Sequence, residues 1–200
     1  MAKAVILATP QERAFEAAKQ FALIVGASLF VALFARITIP LLPFTPVPLT
    51  AQNFGVLLVG LLLGSRRGFA ALALYLVEGA AGLPVFSPSS LGLHGIFQLL
   101  GPTGGFLMVY PLVAFVAGLI FERGTRNFAR AAIAGLLAEI LLFAGGLSWL
   151  YVFTHSLVKA AYFGLYWFLA AEVIKVMFAA AVAARWQRRQ GKAVGFPEFR

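Results

Sequence analysis

Long apolar runs alternate with short polar, basic or proline-rich breaks along the whole chain. Runs at 21–39, 50–64, 68–83, 104–121, 130–148 and 168–186 hold few charges and end at a charge or a Pro/Gly cluster, the pattern of membrane-spanning helices. They predict an all-α membrane protein: one integral-membrane domain over 1–200, built as a six-transmembrane-helix bundle with both termini on one side. The last run gives a helix of roughly 28 Å, close to a hydrocarbon core of ~30 Å. The second gives only ~22 Å, and it follows "PLLPFTPVP", four prolines in nine residues (Pro40, Pro43, Pro46, Pro48). Its outer end is therefore expected below the membrane surface, with the proline-rich segment folded inward. Non-helical backbone at that depth is tolerated where protein buries it or where it lines a polar cavity. Proline suits the task because it fixes φ and removes a backbone donor.

Composition strengthens the membrane reading. The 200 residues are 62% hydrophobic and 12% charged, with mean hydropathy +0.92, far from a soluble domain. The net charge of +9 would suggest nucleic acid until its placement is read. Of the 16 basic residues, 13 fall in the N-terminal segment (Lys3, Arg13, Lys19), the 2–3 link (Arg66, Arg67), the 4–5 link (Arg123, Arg126, Arg130) and the tail (Arg185, Arg188, Arg189, Lys192, Arg200). All four share one face, which the positive-inside rule makes cytoplasmic, so no nucleic-acid partner is expected. The three extracytoplasmic loops, near 40–50, 84–103 and 149–167, are long and rich in Pro, Gly, Ser and aromatic residues. A site is expected among them, and the last is expected to hold a short amphipathic helix along the interface. The first 20 residues loosely resemble a signal peptide, but the run continues to about Ile39 without an obvious cleavage site, so a retained first helix is expected. Cysteine is absent, which excludes disulfides, Cys-ligated zinc and a thiol nucleophile.

Candidate chemistry is sparse. Glu172 and Lys175 stand three residues apart on one face of the sixth span, where ionisable groups are functional candidates by default. Together they form either a self-neutralising structural pair or a ligand clamp, the carboxylate accepting from N–H donors and the ammonium donating to a carbonyl oxygen. Gln52 and Asn53 open the short second span as helix caps or as ligand contacts. In "LGPTGGF" the Gly104-Gly105 pair begins a helix, either as a tight turn or as exposed amides facing an anion or carbonyl. Glu78 is placed to face the outer cavity, and Glu139, mid-span, reads equally as a packing residue. Arg36 either snorkels or attracts an anion. Two small-residue series at four-residue steps, Ala14-Ala18-Ala22-Gly26 and Gly60-Gly64-Gly68, mark close helix contacts, inside the bundle or, for the first, with a membrane partner. Neither a nucleotide-binding GxxxxGK[ST] loop nor a zinc spacing is present. Neither a cofactor nor catalysis is expected.

The stretches "PFTPVPLTAQNFGVLLVGLLLGSRRG", "LYLVEGAAGLPVF", "LLGPTGGFLMVYPLVAF" and "FLAAEVIKVMFAAAVA" resemble, in order from about residue 35 to 185, the BioY family of biotin-binding S components of energy-coupling-factor (ECF) vitamin transporters. The resemblance implies a multi-pass protein of a bacterial or archaeal cytoplasmic membrane that captures biotin from outside, with a transmembrane T component and ATPase subunits powering uptake. It carries the family's acidic-x-x-Lys motif onto Glu172 and Lys175, which would clamp the ureido ring. Glu172 is a methylene longer than the usual Asp and follows Ala170-Ala171 instead of Pro-Gly. Gln52, Tyr75 and the Gly101–Gly105 turn match; Phe86 would cover the bicycle, with Asn53, Thr50 or the Gly104-Gly105 amides at the carboxylate tail. Ala14, Ala18 and Ala22 match the family's usual T-component contact. A different vitamin, an intramembrane enzyme and a purely structural subunit are the competing readings; a biotin competition assay, turnover in isolation and the absence of a ligand for Glu172 and Lys175 would respectively mark them.

Overall fold

The computed structural model describes residues 9–193, with side chains described to 190. Lys3, Arg200 and the side chain of Lys192, three of the basic residues used above, lie outside the described residues. Helix α1 (Pro10–Ala35) begins eleven residues before the expected span because "TPQE" is a capping box: Thr9 Oγ1 accepts from the Glu12 amide (3.2 Å), and Glu12 accepts from the Thr9 amide (2.7 Å). The helix ends at Ala35 and not at 39, because Thr38–Ile39 (β1) pairs antiparallel with Leu49–Thr50 (β2), Thr38 opposite Thr50. The prolines between them form the tip of this hairpin, which includes a cis Leu42-Pro43 bond. Thr45, fully buried, pins the tip down by donating from Oγ1 to the Phe163 carbonyl (2.7 Å).

Helix α2 (Gln52–Leu63) is about 18 Å long and buried along nearly its whole length. Gly64 ends it at φ +86° and starts α3 (Ser65–Ala80), a one-residue reversal that a side chain would strain. Glu122 secures the reversal, accepting from the Ser65 amide (3.0 Å) and hydroxyl (2.8 Å). A short α4 (Ile96–Leu100) lies in the following loop. Helices α5 (Gly104–Glu122) and α6 (Phe128–Thr154) form the most extensive pairing of the bundle. Asn127 caps α6, accepting from the Arg130 amide (2.9 Å). The expected loop at 149–167 begins six residues late, since α6 continues through apolar "WLYVFT" until His155 turns left-handed (φ 47°). The remainder of that loop is α7 (Leu157–Ala161) and a π-turn (Tyr162–Tyr166), bent by 43° from α8 (Leu169–Ala193).

The chain is thus mostly helical. Among the described residues three helices (α1, α5, α6) are long and apolar enough to cross a membrane, four if the bent pair ending in α8 counts as one span. The core is a contiguous cluster around α2, with Leu57, Leu72, Val113, Ala134 and Val176 all buried in it. Gly60 is the point of closest approach: a Cβ there would run into the Ala114 backbone. The Gly60-Gly64-Gly68 series therefore serves packing inside the bundle. The α1 series does the opposite, with Ala14, Ala18, Ala22 and Gly26 all exposed and nothing within 4 Å of a Cβ built at Gly26.

Candidate functional site

The loop-bearing ends of α2, α5, α6 and α8 converge on a pocket under the proline hairpin. Its floor and walls include Val47, Pro48, Thr50, Gln52 and Asn53 from the hairpin and first turn of α2, Thr103, Phe106, Leu107 and Tyr110 from α5, Leu142 and Phe143 from α6, and Phe168 and Glu172 from the start of α8. The space between them is about 540 Å³ with the open solvent at the mouth included. Mostly apolar walls with a few converging polar groups would bury a compact ring system and fix its orientation.

Four polar side chains at or behind this wall form a connected cluster. Asn53 Nδ2 donates to Glu172 Oε2 (2.8 Å) and to Glu139 Oε1 (2.5 Å), and Lys175 Nζ donates to Glu172 Oε1 (2.7 Å). Gln52, Asn53, Glu139 and Glu172 are each exposed by 6% or less. Each ionisable group at such depth costs on the order of 2.5–3.5 kcal/mol by insertion scales, so the pairing of Lys175 with Glu172 is what makes the carboxylate tolerable. Among the described residues six buried side-chain polar atoms lack a partner, and three of them are gathered here: Gln52 Nε2, Asn53 Oδ1 and Glu139 Oε2. Native interiors rarely leave such groups unpaired. Two of the three, one donor and one acceptor, belong to residues lining the pocket.

Of the residues singled out from sequence, Thr50, Gln52, Asn53 and Glu172 reach the pocket wall, and Lys175 joins it through Glu172. The others go elsewhere. Glu78 accepts from the Ser28 hydroxyl of α1, away from the pocket. Tyr75 donates to the Val85 carbonyl (2.8 Å) and packs edge-on against Phe86 (centroids 5.3 Å), whose ring lies on Gly79. Phe86 lines a second hollow with Arg36, His94 and Gln98. Arg36 is tied to the following loop: its guanidinium donates to the Pro84 and Phe86 carbonyls (2.8 Å to the latter). The Gly104 amide is taken by the Gly101 carbonyl (3.0 Å), and Gly105 lies against Trp149, whose indole N–H anchors the same turn at Gly101 (2.9 Å). Sequence reasoning passed over Thr103, which sits inside the LGPTGGF turn, and Phe106, Tyr110 and Phe168, apolar-run positions with no local mark. Glu139 did carry one, a carboxylate in mid-span.

Comparison with known proteins places these observations among relatives. The BioY family model matches residues 7–192. The biotin transporter BioY of Thermotoga maritima is 37% identical over 168 residues, 82% of this chain and 95% of that protein. A probable biotin transporter BioY of Pyrococcus horikoshii is 37% identical over 142 residues, 71% and 82% of the two chains. The biotin transporter BioY of Rhizobium etli is 34% identical over 183 residues, 83% and 92%. In three dimensions the fold is similar to that of the S-component for biotin from an ECF-type ABC transporter, with a TM-score of 0.77 at 23% identity over 91% of this chain and 95% of the other.

Proposed function

This chain belongs to the BioY family, and on that premise we propose that it is the substrate-binding S component of an ECF transporter that captures biotin for uptake. The observation that carries the reading is the buried Asn53–Glu172–Lys175 cluster at the wall of an apolar pocket. A cyclic urea offers two N–H donors and one carbonyl acceptor. Glu172 and the unpaired Asn53 Oδ1 accept from the two N–H groups, and the unpaired Gln52 Nε2 donates to the carbonyl. Lys175 supplies the countercharge for Glu172. The ring system lies against Phe106, Tyr110 and Phe168, and Thr50 and Thr103 meet the carboxylate tail at the mouth.

The same reading assigns six crossings to α1, α2, α3, α5, α6 and α8 in one domain over 1–200, with both termini cytoplasmic. The shortness of α2 is compatible with a crossing because protein surrounds it on every side. Arg66, Arg67, Arg123, Arg126 and Arg130 lie in the links expected to face the cytoplasm, opposite the pocket end, of a bacterial or archaeal membrane. ATP hydrolysis belongs to separate ATPase subunits and coupling to a T component, which docks on the exposed Ala14-Ala18-Ala22-Gly26 face. The chain itself is not an enzyme and needs no cofactor.

Labelled-biotin accumulation tests the proposal in cells lacking biotin synthesis and uptake of their own. Expression of this chain with an ECF module restores accumulation that excess unlabelled biotin abolishes. Failure to accumulate biotin in cells where the chain is present in the membrane, with or without the module, contradicts it.

A further inference from the structure

Glu139 has no part in the ligand contacts proposed above, although it is buried in the same polar cluster. It stands on α6 between Ala138 and Ile140, 5% exposed, one layer behind the pocket lining. Among the described residues its one side-chain hydrogen bond is with Asn53 Nδ2, and its Oε2 is unpaired. Lys175 is engaged on the far side of the cluster, with Glu172 Oε1.

The consequence falls on Asn53. A side-chain amide can sit either way round, exchanging a two-proton donor for an acceptor by half a turn. Glu172 alone would hold one of the two Nδ2 protons. With Glu139 on the other side, both protons are taken, and reversing the amide would set Oδ1 against two carboxyl groups. The orientation is thereby fixed with Oδ1 as the unpaired end of a side chain that lines the pocket. We propose that Glu139 is a positioning residue for ligand recognition: it locks the Asn53 amide so that Oδ1 is presented as an acceptor for a ligand N–H. This rests on the proposed capture of a ureido ligand, to which it adds a residue that never touches the ligand.

The test is a double-mutant cycle on the purified full chain, with biotin affinity read by titration calorimetry and folding by thermal unfolding. Glu139→Leu weakens biotin binding by about tenfold or more, the loss of one well-placed hydrogen bond, and Glu139→Gln, which keeps an acceptor oxygen, recovers most of it. In an Asn53→Ala background, adding Glu139→Leu weakens binding by less than about twofold, because the amide it orients is gone. Should Glu139→Leu not fold, Glu139→Ala takes its place in the same cycle. Unchanged affinity in the folded Glu139 variant, or losses that add in full in the double variant, overturn the inference while the biotin reading stands. Absence of saturable biotin binding by the unmutated chain overturns both.

Discussion

Glu172 and Lys175 lie one turn apart at the top of α8, and their 2.7 Å contact pairs two ionisable groups where water is scarce. Lys175→Ala leaves Glu172 with only Asn53 as a partner and a second carboxyl, Glu139, on the same amide. Biotin affinity then falls by about tenfold or more, roughly 1.4 kcal/mol, and the melting temperature of the folded variant falls as well, because removing one partner leaves a buried carboxylate uncompensated. Titration calorimetry with a parallel thermal melt checks both halves. This residue-scale picture was partly legible in the sequence. Gln52, Asn53, Glu172 and Lys175 are conspicuous because each interrupts or opens an apolar run. Tyr75, Phe86, Gly104 and Gly105 lie off the pocket wall, against Val85, Gly79, Leu99 and Trp149 respectively, contacts set by how the chain turns between α3 and α5 and packs on α6, which no local pattern encodes.

At the scale of elements, the two small-residue series look alike in the sequence and do different work. Gly60→Ala drives a Cβ into the Ala114 backbone between α2 and α5, where neither helix can retreat. Stability falls by about 1–3 kcal/mol, as overpacking of a close contact usually does. Gly26→Ala meets nothing within 4 Å and gains helix propensity of up to about 1 kcal/mol, so it leaves stability unchanged or higher. Thermal unfolding of the two variants side by side distinguishes them. Element positions were legible where breakers are strong: α5 was expected over 104–121 and runs Gly104–Glu122. They were not where hydropathy and helix-forming tendency part. The first eleven residues of α1 are too polar to count as membrane span yet are helical by virtue of the Thr9 and Glu12 cap, and residues 149–154 carry α6 on because nothing breaks it before His155.

For the whole molecule, the account separates a ligand-binding end from a partner-binding flank. The pocket lies under the proline hairpin, and the hairpin is held by Thr45 on the Phe163 carbonyl; the α1 stripe points away from the bundle. Ala18→Trp therefore leaves biotin binding by the isolated chain intact but lowers co-purification with a T component by about tenfold, since a bulky ring ends the close approach that small residues allow. A pull-down from co-expressing cells measures this, and retained co-purification would place the docking face elsewhere. The central claim, that the pocket is a biotin site, meets its most direct test in calorimetric titration of the purified chain with biotin. The account predicts saturable, one-to-one binding at micromolar or lower biotin that is undiminished by excess of an unrelated vitamin lacking a cyclic urea. No saturable heat at those concentrations from folded protein, or displacement by the unrelated vitamin, would contradict it.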